Sequence, residues 1–167
     1  MRGPVAFVGY MGSGKSTVGR AVARRIGWDF VDLDREIEAR AGRSIPDIFS
    51  SSGEDFFRDL EHRVLVDTLN GSNERVVACG GGIVVRRENR ERLMKDAATV
   101  FLDGNLRMLF TRTRGGGRPL RASGFDEFAR RYEERLPLYL EVADLRVSVN
   151  HRSRKQMVEE ISNWLKK

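Results

Sequence analysis

Short apolar runs alternate along the chain with longer stretches in which apolar residues recur at helical spacing. The runs at 4–8, 28–32, 76–79, 99–102 and 145–149 have the length of buried strands. The intervening stretches predict helices over 15–26, after residue 34, over 44–69 with one interruption at 50–53, and over 86–95, 106–112, 125–139 and 156–165. This alternation predicts an α/β fold, a three-layer αβα arrangement with a five-stranded parallel sheet, in one domain over 1–167.

Residues 9–16, Gly-Tyr-Met-Gly-Ser-Gly-Lys-Ser, match the phosphate-binding pattern G-x-x-x-x-G-K-[ST], between the first strand and the first helix. Glycines allow successive N–H groups to point at one anion, and the helix N-terminus adds a partial positive charge. Lys15 would reach the β- and γ-phosphates of ATP, and the Ser16 hydroxyl would ligate Mg²⁺. The residues predicted to bind the nucleotide here are Gly12, Ser13, Gly14, Lys15, Ser16 and Thr17.

Asp32 and Asp34 follow the second strand, at the sheet edge where open α/β proteins bind ligands. One carboxylate could hold the metal, and the other could orient or deprotonate an attacking hydroxyl. The alternative for Asp34 is a helix N-cap, and the two roles can coexist.

Two further stretches predict substrate contacts. Arg58 lies beside aromatic residues and could either pair with Glu61 or bind an anionic substrate. Gly80, Gly81 and Gly82 follow the third strand, where many phosphate-loop ATPases and GTPases have a metal-binding aspartate, and would let the backbone approach a small substrate.

Residues 112–121 are rich in glycine and arginine and lack apolar periodicity, which predicts a mobile lid over about 112–123. Arg118 would close on the transferring phosphoryl group. A surface loop without function is the alternative.

Composition narrows the possible classes. Net charge is +6, but the basic residues are interspersed with acids, so nucleic acid is not expected as a partner. No apolar run is long enough to cross a bilayer, and the single cysteine, Cys79, fits a reducing compartment. The first strand starts so near Met1 that loss of a signal peptide would destroy the phosphate loop, so we expect a cytoplasmic protein. As a separate expectation, the protein is a monomer.

The order and spacing of these motifs resemble the shikimate kinases, small relatives of the nucleoside monophosphate kinases with a P-loop kinase fold. The matching segments are 9–17, Asp32 with Asp34, Phe57-Arg58-x-x-Glu61, Gly80–Gly82, Arg118-Pro119-Leu120 and Arg135-x-x-x-Tyr139. The chain departs from that pattern in having Cys79 where threonine is frequent, and in lacking a proline within 150–154.

The resemblance implies transfer of the ATP γ-phosphoryl group to the 3-hydroxyl of shikimate, a step toward chorismate and the aromatic amino acids. It implies that Ser16 and Asp32 serve Mg²⁺ and that Lys15 and Arg118 contact the phosphates. Shikimate would be bound in a helical region over about 33–61 and by residues beyond it. The implied shikimate contacts are Asp34, Arg58, Gly80, Gly81, Gly82 and Arg135, and the adenine contacts are Arg112 and Arg152.

Three other functions remain as alternatives. Another small-molecule kinase of this fold, for gluconate or a nucleotide, would share the phosphate loop and the lid but differ in the acceptor site. A GTP-binding regulator is disfavoured because the chain has no Asn-Lys-x-Asp segment. A nucleic-acid-binding ATPase would be recognised by retention on DNA at physiological salt.

Overall fold

The computed structural model describes residues 3–113 and 124–167. The strands are β1 (Val5–Val8), β2 (Asp29–Asp32), β3 (Arg75–Ala78), β4 (Ala98–Asp103) and β5 (Leu145–Ser148). The helices are α1 (Lys15–Ile26), α2 (Leu33–Ala41), α3 (Ile45–Leu69), α4 (Arg87–Asp96), α5 (Leu106–Arg112), α6 (Gly124–Val142) and α7 (Arg154–Leu165).

The five strands form one sheet in the order β2-β3-β1-β4-β5, and every neighbouring pair is parallel. Strand β1 lies at the centre, where Val5 pairs with Val76 of β3 and with Ala98 of β4. All four residues of β1 are fully buried, as expected for a parallel strand that helices cover on both faces. The predicted five-stranded parallel α/β fold is therefore confirmed.

Local signals in the sequence explain where two of the helices end or bend. Helix α1 stops at Gly27, which adopts a left-handed conformation with φ 76°. The interruption predicted over 50–53 is narrower than expected: α3 runs through this region and only Gly53, with φ 82° and ψ 174°, leaves helical geometry. The bend divides α3 into two segments with different directions.

The arrangement of the sheet places the carboxyl ends of β1, β2 and β3 side by side. The phosphate loop follows β1, the two aspartates follow β2, and the glycine triplet follows β3. This is the edge at which open parallel sheets bind ligands. Within 3–113 and 124–167, no helix is long and apolar enough to cross a membrane.

Candidate active site

A cavity of about 940 Å³ opens at this edge of the sheet. Its size is that of a site for one or two small molecules. The sequence-predicted residues that line it are Gly12, Gly14, Lys15, Ser16, Thr17, Asp32, Asp34, Arg58, Gly80, Gly81, Gly82, Arg112 and Arg135. Segments that lie far apart in the sequence, including the phosphate loop, the aspartates after β2 and the glycine triplet, therefore meet around one space.

The phosphate loop depends on glycine at position 12. Gly12 has φ 80°, and a side-chain carbon there would lie 2.6 Å from the carbonyl oxygen of Leu109. The Lys15 ammonium donates hydrogen bonds to the carbonyl oxygens of Gly9 at 2.8 Å and Tyr10 at 3.0 Å. Lys15 also begins α1, so its charge and the helix N-terminus both face the phosphate position.

Asp32 connects the phosphate loop to α2. Its Oδ1 accepts hydrogen bonds from the backbone N–H groups of Asp34 at 3.1 Å and Arg35 at 3.4 Å, so Asp32 is the N-cap of α2. The alternative interpretation of Asp34 as the cap is therefore wrong: Asp34 lies in the first turn of α2 and lines the cavity.

The second carboxylate oxygen of Asp32 accepts a hydrogen bond from the Ser16 hydroxyl at 2.6 Å. A hydroxyl and a carboxylate beside a phosphate site are the oxygen donors that Mg²⁺ prefers, with phosphate and water completing its shell. Among the described residues there is no cluster of three or more His, Cys, Asp or Glu side chains suited to a metal. The residues present thus fit a phosphate-bound Mg²⁺ rather than a metal held wholly by protein.

Arg58 and Glu61 lie one turn apart on the second segment of α3, and both are buried, with 8% and 1% of their surface exposed. Nη1 of Arg58 lies 2.7 Å from Oε2 of Glu61. Sequence alone left open whether Arg58 pairs with Glu61 or binds an anionic substrate; the structure shows the pair, and the Arg58 side chain also lines the cavity. Burial raises the pKa of Glu61 above its ordinary value, although Arg58 opposes the shift.

The glycine triplet is in close contact with these charged side chains. A side-chain carbon at Gly80 would lie 2.8 Å from Oδ1 of Asp34, and one at Gly82 would lie 2.4 Å from Nη1 of Arg58. Any residue other than glycine at these positions would compete for space with a charged group. The triplet therefore brings Asp34 and Arg58 against the backbone at one wall of the cavity.

Arg135 reaches the cavity from α6, and 9% of its surface is exposed. Arg135 interacts with the Tyr139 hydroxyl and acts electrostatically on Glu61, but within the described part of the chain no carboxylate lies within ion-pair distance of it. A buried guanidinium without a carboxylate partner is suited to an anionic ligand. One turn later, the Tyr139 hydroxyl donates to the carbonyl oxygen of Gly81, and burial raises the pKa of that hydroxyl.

Cys79 borders the same cavity but is unsuited to nucleophilic chemistry. It is buried at the end of β3, and burial raises the pKa of its thiol well above the ordinary value. The thiol remains protonated at neutral pH.

The remaining predicted residues lie elsewhere. Ser13 is buried within the loop, and Arg152 pairs with Glu160 of α7 at 2.5 Å. Neither residue lines the cavity as the structure describes it, whereas Arg112 lines it from the end of α5. Arg118 and the lid residues 114–123 lie outside the described residues.

Three groups near the site escaped sequence reasoning. Glu61 was identified as a partner for Arg58 and as part of the matching segment Phe57-Arg58-x-x-Glu61, but not as a residue that borders the cavity. Arg131 lines the cavity from α6 and pairs with Glu127, whose pKa is lowered to about 2 by hydrogen bonds from Arg130 and Arg131.

Phe49 and Phe57 contact each other, with ring centroids 4.7 Å apart, and form an apolar wall of the cavity. The helical spacing of these residues on α3 could have suggested that wall.

Known proteins match this chain over nearly its full length. A family model described as shikimate kinase matches residues 11–166. Shikimate kinases from Symbiobacterium thermophilum and Persephonella marina are 42% and 40% identical, the first over 96% of this chain and 95% of its own, the second over 94% and 95%.

Solved structures give the same result. A shikimate kinase from Acinetobacter baumannii, in complex with shikimate, superimposes with a TM-score of 0.93 at 33% identity, covering 99% of this chain and 93% of its own. A gluconokinase from Sinorhizobium meliloti superimposes with a TM-score of 0.63 at 22% identity, covering 99% of this chain and 92% of its own. The similarity to the gluconokinase shows a shared fold only.

Proposed function

Because the chain belongs to the shikimate kinase family, we propose that Asp34, Arg58 and Arg135 form its shikimate site beside the phosphate loop. The chain catalyses the ATP-dependent phosphorylation of shikimate, in the biosynthesis of aromatic compounds. The observation that carries the site assignment is the pair of buried guanidinium groups, from α3 and α6, that face one cavity together with Asp34.

Shikimate carries one carboxylate and several hydroxyl groups, and the cavity offers a matching set of partners. Arg58 and Arg135 bind the carboxylate, since guanidinium groups make charge-assisted hydrogen bonds to carboxylates in a fixed geometry. Asp34 accepts hydrogen bonds from hydroxyl groups of the acceptor. The backbone of Gly80, Gly81 and Gly82 contacts the ring from the side of β3.

The nucleotide lies along the phosphate loop, with Gly12 to Thr17 around its phosphates. Arg118 contacts the phosphates with Lys15, and Arg112 and Arg152 contact the adenine. Bound Mg²⁺, held by Ser16 and Asp32, would neutralise charge on the β- and γ-phosphates. Replacing Ser16 with Ala should raise the Mg²⁺ concentration needed for half-maximal rate by about tenfold. Binding of metal-free ATP should be unchanged, and an unaltered Mg²⁺ requirement would exclude Ser16 as a ligand.

Phosphoryl transfer joins the 3-hydroxyl oxygen of shikimate to the γ-phosphorus and breaks the bond between that phosphorus and the oxygen bridging it to the β-phosphate. Asp34 takes the hydroxyl proton, and the electron pair of the broken bond remains on ADP. Lys15 and Arg118 stabilise charge on the transferring group. A lid over about 112–123 excludes water, which would otherwise accept the phosphoryl group.

The test is ADP release from MgATP by the purified protein, with shikimate, gluconate or a nucleoside monophosphate as acceptor. We expect ADP release when shikimate is the acceptor and none when gluconate or a nucleoside monophosphate replaces it. Turnover with another acceptor instead would leave the phosphate loop in place but overturn the roles of Arg58 and Arg135. The same preparation should behave as a monomer in sedimentation, and fractionated cells should contain it in the cytoplasm.

A further inference from the structure

Tyr10 belongs to the phosphate loop, but its side chain leaves the loop and packs against α6. The residue is fully buried, and its ring centroid lies 4.6 Å from that of Phe128 and 5.6 Å from that of Tyr132. Its hydroxyl donates a hydrogen bond of 2.9 Å to the carbonyl oxygen of Phe128. The side chain of this phosphate-loop residue is thus hydrogen-bonded to a residue of α6 that lies 118 positions further along the chain.

The same helix carries Arg135 into the acceptor cavity. The guanidinium carbon of Arg135 lies 5.9 Å from the ring centroid of Tyr10, within the range of a cation–π contact. The Arg135 side chain also interacts with the Tyr139 hydroxyl, one turn further along α6. The Tyr10 ring, which belongs to a different segment of the chain, is therefore one of the groups that orient the Arg135 guanidinium.

The backbone of Tyr10 faces the nucleotide side. Its carbonyl oxygen accepts hydrogen bonds from the Lys15 ammonium at 3.0 Å and from the Ser13 N–H at 3.3 Å. Phosphates that bind in the loop compete for the Lys15 ammonium, since that is the group which the loop offers to the β- and γ-phosphates. Tyr10 thus contacts the phosphate-binding lysine through its backbone and the carboxylate-binding arginine through its ring.

We propose that Tyr10 is a positioning residue, which holds Arg135 in register with the phosphate loop and couples nucleotide binding to shikimate binding. The proposal rests on the function proposed above, in that Arg135 binds the shikimate carboxylate. Phosphoryl transfer requires the acceptor oxygen and the γ-phosphorus at near-contact distance, so the spacing between the carboxylate site and the phosphate site must be fixed. By linkage, a nucleotide that stabilises this arrangement tightens shikimate binding, and shikimate tightens nucleotide binding by the same factor.

The α6 helix has a second attachment to the sheet, which allows Tyr10 to be tested without loss of the helix. Tyr132 donates a hydrogen bond of 2.7 Å to Oδ1 of Asp103, at the end of β4. A change at Tyr10 removes one ring that packs against Tyr132 but neither atom of this hydrogen bond. We therefore expect substitution of Tyr10 to loosen the orientation of Arg135 while α6 remains docked.

The variants are Tyr10→Leu, which removes the ring, and Tyr10→Phe, which removes only the hydroxyl. Tyr10→Leu should raise the KM for shikimate by about tenfold, while the Kd for ATP measured without shikimate should change by less than about twofold, because misplaced binding groups weaken one substrate selectively. Tyr10→Phe should shift the KM for shikimate in the same direction by a smaller factor. Phe7→Leu is the matched control, since Phe7 is equally buried, lies in β1 and packs toward α1.

The effect of MgADP on the affinity for shikimate distinguishes coupling from a purely structural role, because a purely structural role of Tyr10 would leave that effect unchanged. Shikimate binding is measured by calorimetry with and without saturating MgADP, for wild type, Tyr10→Leu and Phe7→Leu. MgADP should strengthen shikimate binding by about fivefold or more in the wild type and in Phe7→Leu, and much less in Tyr10→Leu. Equal strengthening in all three proteins would overturn the proposal.

A double-variant cycle with Arg135→Gln closes the test. If Tyr10 acts through Arg135, Tyr10→Leu should have little further effect on the KM for shikimate once Arg135 is Gln. If the effects of the two substitutions on the KM for shikimate are additive, Tyr10 does not act through Arg135 and the proposal is wrong. Failure of wild type to phosphorylate shikimate would instead contradict the proposed function, so the two failures are distinguishable.

Discussion

Nη1 of Arg58 lies only 2.4 Å from the place where a side-chain carbon at Gly82 would stand. No ordinary contact between a carbon and a nitrogen is that short, so glycine at 82 and the observed position of the Arg58 guanidinium require each other. Gly80 has the corresponding relationship to Asp34, with Oδ1 at 2.8 Å. Gly82 thus leaves room for Arg58, and Gly80 leaves room for Asp34 and, at 3.3 Å, for Oε1 of Glu61.

Alanine at these two positions should separate binding from catalysis. Gly82→Ala should displace the end of Arg58 and raise the KM for shikimate, whereas Gly80→Ala should displace Asp34 and lower kcat. Both variants should fold, since the atom in the way is the end of a side chain and neither glycine has a positive φ. Steady-state kinetics with shikimate and ATP varied in turn measures the difference. The same change in both variants would contradict this division.

Arg58 itself should contribute selectively to acceptor binding. Arg58→Ala should weaken shikimate binding by about 1.5–3 kcal/mol, the range for a hydrogen bond to a charged group, with little change in ATP affinity. Because this variant leaves Glu61 buried without its partner, Arg58→Lys should be measured beside it. Arg63→Ala, an exposed arginine of the same helix, is the control. Equal weakening of both ligands would remove Arg58 from the carboxylate site.

Asp34→Asn should abolish phosphoryl transfer while ATP still binds. Loss of a general base costs about 10²–10⁴-fold in rate. Since Asp32 caps α2, the helix should remain intact, which circular dichroism can verify. Glu36→Gln, on the exposed side of that helix, should leave kcat unchanged. Retained turnover in Asp34→Asn would exclude a catalytic role.

Glu61 should make the protein's stability depend on pH in a predictable direction. Its pKa is raised by burial, so the folded state binds a proton more readily than the unfolded state. The contribution of Glu61 to the free energy of unfolding is therefore full below the ordinary glutamate pKa of about 4.3 and falls as pH rises through the raised value.

Urea denaturation of wild type and Glu61→Gln at a series of pH values measures this contribution. The variant should gain stability relative to wild type as pH rises above about 4.3, because glutamine does not titrate. A relative gain as pH falls would mean that the pKa of Glu61 is lowered instead, with Arg58 outweighing burial.

Much of this architecture could be predicted because it depends on local signals. Apolar runs determine the strands, the loop pattern determines the phosphate site, and Gly27 and Gly53 mark where helical geometry ends. Several other features depend on contacts between distant segments. Residue types at 32 and 34 are identical, and only the folded backbone decides that Asp32 is the cap. Likewise, no periodicity links Tyr10 to Phe128 or turns Arg152 toward Glu160.

The order of the strands also bears on how this molecule could be redesigned. The residues proposed to recognise shikimate come from one continuous stretch, 33–82, joined by Arg135 alone from α6, whereas the nucleotide loop precedes that stretch entirely. Recognition of the acceptor is thus encoded largely between the end of β2 and residue 82, a stretch that also contains β3, which pairs with both β1 and β2. An exchange of 33–82 that keeps the sheet residues of β3, with one matching change at 135, should redirect the phosphoryl group to a different alcohol.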